Sequence, residues 1–221
     1  MNAINLSNVL RTSTVLLKPT EDVSLRELAE QSAILWNMAN YQRRKAFYEH
    51  GKMPSYTKQC GELKHSDPFK KLGTCKAQAL LAKLGEAWSS FFALLRLKKQ
   101  GKLPPHIRRL SPPKYWKQNG KRVAKAFYVR NDGWSMDEEE ISVAQGARVP
   151  YQCGELWVGK RGRLEVQHDE LTGKWYAHIP IEVDWQTPQP PSRTCSKRAS
   201  LDLGICNLAA LYIEDEHPII Y

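Results

Sequence analysis

A single carboxylate interrupts an apolar stretch near the end of the 221-residue chain. Residues 199–211 read ASLDLGICNLAAL, so that Asp202 stands between two leucines and is followed by a glycine turn and a second apolar segment. A carboxylate is costly to bury unless it is paired with a positive charge or bound to a metal ion. Asp202 is therefore a candidate ligand in an apolar strand. The alternative is a plain turn, because aspartate and glycine are common turn residues.

The positive charge of the chain is concentrated in one segment. Residues 42–130 contain 22 lysines and arginines and 4 acidic residues, within a chain whose net charge is +10. Aromatic residues are interleaved with these cations at Trp88, Phe91, Phe92, Tyr115, Trp116, Phe127 and Tyr128. Because cations neutralise phosphates and rings stack on unpaired bases, the segment predicts nucleic-acid binding. The alternative is a solvated lysine face over an aromatic core.

The composition disfavours several classes of protein. The chain is 42% hydrophobic, contains no run of about 18 apolar residues and carries no clear lipid-anchoring motif. We therefore expect a globular cytoplasmic protein that does not bind membranes. The five cysteines are widely spaced and include no C-x-x-C pair, which argues against a disulfide framework and against a zinc site.

A strand and a long helix are predicted for the first fifty residues. Alternating side chains predict a strand over residues 10–17. Ser24 and Glu27 form a capping-box pattern that would begin a helix, and Gly51 is a natural helix end. Apolar residues at helical spacing between these signals indicate one continuous helix.

Two further helices and a basic connector are predicted next. The helices cover residues 55–64, closed by Asp67-Pro68, and about 75–99. The second would turn an apolar stripe inward. It would leave five cations facing a partner, namely Lys76, Lys83, Arg96, Lys98 and Lys99. Proline pairs at residues 104–105 and 112–113 then predict an extended connector.

Short strands are predicted in the second half of the chain. They cover residues 123–130, 140–143, 155–158, 163–167 and 174–183. With the opening strand they predict a small antiparallel β-barrel interrupted by the helices, and therefore an α+β fold. The proline-rich run at residues 187–192 predicts a linker, after which a new domain begins near Lys197.

Several motifs occur in an order that resembles the TnpB-like proteins, transposon-encoded relatives of type V CRISPR effectors. These motifs are LKPT at 17–20, WNMANYQRR at 36–44, AWSSFFALLR at 87–96, GKWYAHI at 173–179 and D-x-G-x-x-N-L-A at 202–209. The resemblance implies four regions. They are a wedge-like barrel over residues 1–20 and 121–186, an inserted basic helical recognition domain over 21–120, a linker over 187–196, and the first strands of an RNase H-like (RuvC) nuclease domain over 197–221.

The resemblance also implies a function. TnpB-like proteins bind a guide RNA, read a short adjacent DNA motif and cut the target DNA that pairs with the guide. Asp202 would be the first ligand to the catalytic Mg²⁺ ion. The residues expected to contact nucleic acid are Arg43, Arg44, Lys98, Lys99, Arg108, Arg109 and Tyr41.

The chain departs from the family pattern in its catalytic residues. Two-metal hydrolysis needs several carboxylates, but the family's later glutamate, final aspartate and four-cysteine zinc module do not occur before Tyr221. We therefore expect an incomplete Mg²⁺ site and a chain that binds nucleic acid without cutting it alone. Two alternatives stay open: a stand-alone RNA- or DNA-binding module, and a degenerate transposase gene product that folds poorly.

Overall fold

The chain forms two compact units, Met1–Asp184 and Trp185–Tyr221, which are described separately. In the first unit the computed structural model describes residues 8–51, 53–143, 147–152 and 156–184. In the second unit it describes residues 199–202, 210–213 and 219–220. The predicted linker, residues 187–196, lies outside the described residues.

The first strand and the long first helix lie where the sequence predicts them. Strand β1 spans Asn8–Leu17 and helix α1 spans Val23–His50. Gly51 ends the helix with a left-handed φ of 64°, and its N–H bonds to the carbonyl of Phe47. Glycine adopts this conformation without a steric penalty, so the helix stops here.

The predicted capping box at the start of α1 is wrong. The backbone is already helical at Val23, so Ser24 lies inside the first turn and Asp22 takes the cap position without a side-chain capping bond. The Asp22 carboxylate instead accepts hydrogen bonds from Arg26 Nε at 2.6 Å and from Trp175 Nε1 at 3.3 Å. The bond from Trp175 is the main reason that the pKa of Asp22 lies below its ordinary value. A tertiary contact therefore sets this helix start.

Three more helices follow, one of which the sequence did not predict. They are α2 (Tyr56–Leu63), α3 (Asp67–Leu72) and α4 (Thr74–Lys99). Helices α2 and α4 confirm the prediction, and Ser55 Oγ caps α2 by accepting from the Lys58 N–H at 3.2 Å. Asp67-Pro68, expected to close a helix, opens α3, because proline in a first helical turn loses no hydrogen bond.

The strands of the first unit are short, apart from β1 and β10. They are β2 (Lys117–Gln118), β3 (Lys121–Arg122), β4 (Ala126–Val129), β5 (Trp134–Met136), β6 (Glu140–Val143), β7 (Ala147–Gln152), β8 (Lys160–Arg161), β9 (Leu164–Asp169) and β10 (Lys174–Asp184). The strand predicted at 155–158 does not form over its described residues, 156–158. Four of the five predicted strand regions thus contain a strand.

One antiparallel sheet organises the first unit. Its order is β4-β9-β10-β1-β7-β6-β5, with β8 paired to β10, while β2 and β3 form a separate hairpin. The longest pairing joins β1 to β10 from Asn8↔Asp184 to Leu17↔Trp175. The combination of helices with an antiparallel sheet is confirmed. The assignment of the helices as an inserted recognition domain stays a prediction.

Helix α1 contributes to two hydrophobic clusters. Leu25 and Ala29, near its start, are buried in the cluster formed by the inner face of the sheet. Farther along, Leu35 and Ala39 belong to a second cluster among the helices, which also takes in Trp116 from beyond α4. Burial of these side chains supplies most of the packing energy between the helices and the sheet.

The second unit contains a small antiparallel sheet. Strand β11 spans Ala199–Asp202 and pairs with β12, Ala210–Ile213, so that Asp202 lies opposite Ala210. Strand β13, Ile219–Ile220, adds to β12. The expected pair of apolar strands is present, while the glycine turn between them lies outside the described residues and the membership of the strands in a RuvC-like domain stays a prediction.

Candidate nucleic-acid interface

Two asparagines of the WNMANYQRR motif hold the connector, residues 100–116, against helix α1. Asn37 Oδ1 accepts a hydrogen bond from the Trp116 N–H at 2.8 Å, and its amide nitrogen donates to the Trp116 carbonyl. Asn40 Nδ2 donates to the Pro113 carbonyl at 2.8 Å. Asn40 Oδ1 in turn accepts from Trp88 Nε1 at 3.0 Å. One helical turn of α1 therefore fixes the end of the connector and joins it to α4.

Trp36 completes this attachment from the same helix. Its indole nitrogen donates to the Lys114 carbonyl at 3.1 Å. Its ring stacks on Trp116, with centroids 4.8 Å apart and planes inclined by 21°. Both rings are buried, so the stack is part of the core that positions the connector.

Arg44 lies at the edge of the same attachment. One of its terminal nitrogens donates to the Pro113 carbonyl at 3.0 Å. Its guanidinium carbon lies 5.3 Å from the ring centre of Tyr115 and 5.9 Å from that of Tyr48. The predicted phosphate contact at this half-buried side chain stays untested, and in this structure Arg44 binds the connector.

Arg43, the other half of the predicted basic pair, faces the protein interior. It is 6% exposed, and its Nε donates to Gln59 Oε1 at 2.7 Å. The Gln59 amide nitrogen donates to the Ala39 carbonyl at 2.9 Å. Burial lowers the pKa of Arg43, but an arginine side chain stays charged at neutral pH. In this structure Arg43 joins α1 to α2 and presents no guanidinium to a partner.

The remaining predicted contacts lie on the surface. Lys98 and Lys99 are exposed in the last turn of α4. Arg108 and Arg109 are exposed in the connector. Tyr41, on α1, is 59% exposed. Such positions suit long cationic side chains that reach phosphates, although their roles in binding stay predictions.

The interleaved aromatic residues are mostly core residues. Trp88, Phe91, Phe127 and Tyr128 are buried. Trp88 and Phe91 pack against Phe47 and Phe92 with ring centres 5.5–5.9 Å apart. The expectation that these buried rings stack on unpaired bases is wrong in this structure, because Trp88, Phe91 and Tyr128 are packed in the cluster among the helices and Phe127 in the cluster at the sheet.

Two cations of α4 that were expected to face a partner are engaged within the fold. Lys76 is 2% exposed, and burial lowers the pKa of its ammonium group. Lys83 Nζ lies 3.4 Å from Glu165 Oε2 on β9 and 5.5 Å from the centre of the Tyr128 ring. Of the five predicted cations of α4, Arg96, Lys98 and Lys99 are the ones that are exposed.

A second ion pair joins α4 to the segment that leads into β9. Both terminal nitrogens of Arg163 donate to the Glu86 carboxylate, at 2.9 and 2.8 Å. This pairing holds the pKa of Glu86 below its ordinary value. Glu86, Lys83 and Glu165 also line a cleft of about 400 Å³. Its mixed charge disfavours a phosphate site, since two carboxylates face the same space.

Asp202 is placed at the end of β11, and nothing further of its side chain is described. The other signature residues, Gly204, Asn207, Leu208 and Ala209, lie outside the described residues. Within the described ranges, no group of three or more histidine, cysteine or acidic residues could hold a metal ion. The position of Asp202 in an antiparallel strand pair is established, whereas its role as a ligand stays a prediction.

The sequence relationship decides the family. No protein-family model matches the chain. It is 37% identical over 235 residues to TnpB-like protein ORF457 of Acidianus two-tailed virus, an alignment that covers 96% of the chain. The chain belongs to the TnpB-like family. It spans about half the length of this relative, since the alignment covers 50% of it.

Two solved structures show a weaker likeness to this TnpB-like chain. A Cas12f1-sgRNA-target DNA complex contains a chain that is 13% identical with a TM-score of 0.39, covering 96% of this chain and 56% of that one. A CRISPR-Cas12f ternary complex contains one that is 12% identical with a TM-score of 0.38, covering 88% and 47%. TM-scores this low support no statement about fold or function.

Sequence reasoning missed one feature of this TnpB-like surface, the hairpin of β2 and β3. Its turn is Asn119-Gly120, with φ values of 49° and 76°. Asn-Gly is a strong signal for a two-residue hairpin turn, so the sequence did contain the signal for this hairpin.

None of the helices in the described ranges is long and apolar enough to cross a membrane.

Proposed function

We propose that this chain is the nucleic-acid-binding N-terminal part of a TnpB-like, RNA-guided DNA endonuclease, with guide RNA and target DNA as its partners. The observation that carries the proposal is the 37% identity to a TnpB-like protein along almost the entire chain. The distribution of charge also supports the proposal, because residues 42–130 contain 22 of the 33 lysines and arginines of the chain.

The proposed binding surface is the end of α4 together with the connector. Lys98, Lys99, Arg108 and Arg109 supply exposed charge there. The amides of α1 fix the distal part of the connector and so limit its motion. Preorganised cations lose less conformational freedom when they bind a phosphate, which favours affinity.

The domain organisation is part of the same proposal. Residues 1–20 and 121–186 would form the wedge-like region, and 21–120 the recognition region. The β1–β10 pairing supports this arrangement, since it joins two segments that are far apart in sequence and flank helices α1 to α4. Residues 197–221 would begin the nuclease domain.

The catalytic part of the proposal concerns Asp202. Mg²⁺ binds carboxylate oxygens, and Asp202 supplies one carboxylate. Its partner across the strand pair is Ala210, which offers no side-chain ligand. Within residues 199–202, 210–213 and 219–220, Asp202 is the one carboxylate, whereas a two-metal site needs several. We therefore propose that the 221-residue chain binds nucleic acid and does not cut it alone.

A cleavage assay tests the catalytic part. The chain is incubated with guide-containing RNA, matching DNA and Mg²⁺, and the Asp202→Ala variant is the matched control. We expect no cleavage by either protein. Robust cleavage by the wild type that Asp202→Ala abolishes would contradict the proposal, because the carboxylates of this chain would then suffice.

A binding assay tests the rest of the proposal. RNA and duplex DNA affinities are measured by fluorescence anisotropy over a salt series. We expect affinity to fall steeply with salt, as phosphate contacts require. Absence of binding to either polymer at low salt would contradict the proposal.

A stand-alone binding module is the second candidate. The division of the chain after Asp184 favours it, because every exposed cation of the proposed surface lies in the first unit. Deleting residues 193–221 distinguishes the two. Unchanged RNA and DNA binding would favour the module, whereas a loss of binding would tie the second unit to the function.

A further inference from the structure

The β2–β3 hairpin is a basic projection on the surface of the first unit. Strands Lys117–Gln118 and Lys121–Arg122 pair in register, with Lys117 opposite Arg122 and Gln118 opposite Lys121. All six residues from 117 to 122 are exposed. The hairpin therefore presents both strands and its Asn119-Gly120 turn to solvent.

The base of the hairpin is fixed to the core. Trp116, which immediately precedes β2, is buried and hydrogen-bonded to Asn37 through both its N–H and its carbonyl. The Val123 N–H, just after β3, donates to the same Trp116 carbonyl at 3.1 Å. Arg122 Nε donates to Glu30 Oε1 of α1 at 2.6 Å. Four contacts thus hold a two-stranded hairpin that would be marginally stable by itself.

The charge of the projection is one-sided. Residues 114–125 contain five cations and no acidic residue. Arg122 is paired with Glu30, so it acts as a positioning residue. Lys117 lies over the Tyr115 ring at 5.8 Å and keeps its charge exposed. Within the described ranges, the side chains of Lys121, Gln118 and Asn119 make no hydrogen bond, which leaves them available to a ligand.

The shape of the projection selects the form of nucleic acid. The major groove of B-form DNA is about 12 Å wide and admits a two-stranded β-ribbon. The major groove of A-form RNA is too narrow for side chains to read. Single strands are gripped by exposed rings, and residues 117–122 include no aromatic residue. A double-stranded DNA ligand fits these properties best.

We propose that the β2–β3 hairpin docks in the major groove of B-form DNA, with Lys117 and Lys121 on phosphates and the amides of Gln118 and Asn119 at base edges. Glutamine and asparagine suit this place because their amides pair with adenine in the major groove. This inference rests on the proposed function and deepens it, since it assigns duplex DNA to one element of the chain.

The lysines are tested on the complete 221-residue chain. Affinity for a labelled DNA duplex of mixed sequence and for a single-stranded RNA of equal length is measured over a salt series. For Lys117→Ala/Lys121→Ala we expect the slope of log affinity against log salt on duplex DNA to become shallower by about two. The slope on RNA stays as in the wild type. The charge-matched control, Lys70→Ala/Lys71→Ala in the last turn of α3, keeps both slopes.

Two outcomes would overturn the assignment. An unchanged duplex slope in the hairpin variant would show that the hairpin does not touch DNA, and the proposed function would still stand. An equal loss on duplex DNA and RNA would show that the hairpin is not selective for the duplex. If the wild type binds neither polymer, the proposed function fails together with this inference, so the two failures are distinguishable.

The tip amides are tested by selection from a pool of randomised duplexes. Asn119→Gly preserves the positive φ of the turn, and Gln118→Ala removes the second amide. We expect the wild type to enrich adenine at one or two positions by roughly tenfold or more, and the double variant to lose this enrichment. The same enrichment by both proteins would show that the amides of Gln118 and Asn119 do not contact bases.

Discussion

Two pairs of adjacent basic residues in this chain look alike in sequence and have opposite surroundings. Arg43 and Arg44 lie in the interior of α1, where one guanidinium is buried against Gln59 and the other binds a connector carbonyl. Lys98 and Lys99 lie in the last turn of α4 and are exposed. The comparison shows that two adjacent cations in the sequence are both accessible to a partner only where the helix leaves the packed core. Within the core the same charge organises the fold.

The largest expected effect on stability comes from removing the buried hydrogen bond between Arg43 and Gln59. Arg43→Ala leaves the Gln59 side-chain oxygen buried without its donor. We expect the free energy of unfolding to fall by about 3 kcal/mol, because a hydrogen bond from a charged donor is lost, a buried acceptor is left without it, and the packed arginine stem is removed. Urea denaturation measures it, with exposed Lys99→Ala as the control that changes stability by less than about 0.5 kcal/mol. A variant as stable as the wild type would show that Arg43 has no structural role.

The next effect concerns the attachment of the connector. Asn40→Ala removes the acceptor of Trp88 Nε1 and the donor to the Pro113 carbonyl. We expect a loss of about 2 kcal/mol in the free energy of unfolding, since the buried Trp88 N–H loses its acceptor and the Pro113 carbonyl keeps only its bond from Arg44. Faster hydrogen exchange at the Trp116 amide should accompany it. Exposed Asn131→Ala is the matched control, and unchanged exchange in Asn40→Ala would contradict the attachment.

Replacing the exposed pair Lys98 and Lys99 should change nucleic-acid binding and leave stability nearly unchanged. Lys98→Ala/Lys99→Ala removes two charges from the end of α4 without touching the core. We expect the free energy of unfolding to change by less than about 0.5 kcal/mol. The slope of log RNA affinity against log salt concentration should become shallower by about one to two. The Lys70→Ala/Lys71→Ala variant removes equal charge elsewhere. An unchanged slope in the Lys98→Ala/Lys99→Ala variant would show that the end of α4 is not part of the binding surface.

The smallest effect is a pH dependence at the ion pair between α4 and the β9 segment. Arg163 holds the pKa of Glu86 below its ordinary value of 4.5. The pair therefore stabilises the fold above that value, and this stabilisation is lost as the pH falls through the lowered pKa. Because Glu86 is largely exposed, we expect Glu86→Gln to cost at most about 1 kcal/mol at pH 7.

Denaturation of wild type and Glu86→Gln across a pH series measures this contribution. The difference between the two proteins should close in acid, and exposed Glu170→Gln serves as the matched control. A difference that is constant down to strongly acid pH would show that the ion pair is not its source.

Periodicity and turn residues predicted the local structure well. The spacing of apolar residues located α1 and α4, and alternation located β1 and β10, because each pattern reports which face of an element is buried. Gly51 was correctly read as a helix end for the same local reason. Contacts between distant residues were not predictable in this way. Asn37 and Trp116 are separated by 79 positions, and neither residue type specifies the other.

The same limit explains the errors at the candidate site. Lys76 was expected at a surface because it lies off the predicted apolar stripe of its helix, and Arg43 because the family resemblance implies a phosphate contact there. Their burial depends on how α1, α2 and α4 pack. The failure of the capping box was not predictable from local sequence, because Trp175, which is 153 positions away in the sequence, binds Asp22. The family signature at Asp202 was recognised from its residues, whereas the role of Asp202 as a metal ligand stays a prediction.

The central claim is that exposed cations at the end of α4 and in the connector bind nucleic acid, while the motif residues of α1 hold that surface in place. The salt dependence of RNA affinity in a variant with Lys98, Lys99, Arg108 and Arg109 all replaced by alanine tests it most directly. The account predicts a slope shallower by about three than that of the wild type, with an unchanged free energy of unfolding. A wild-type slope in this variant would contradict it.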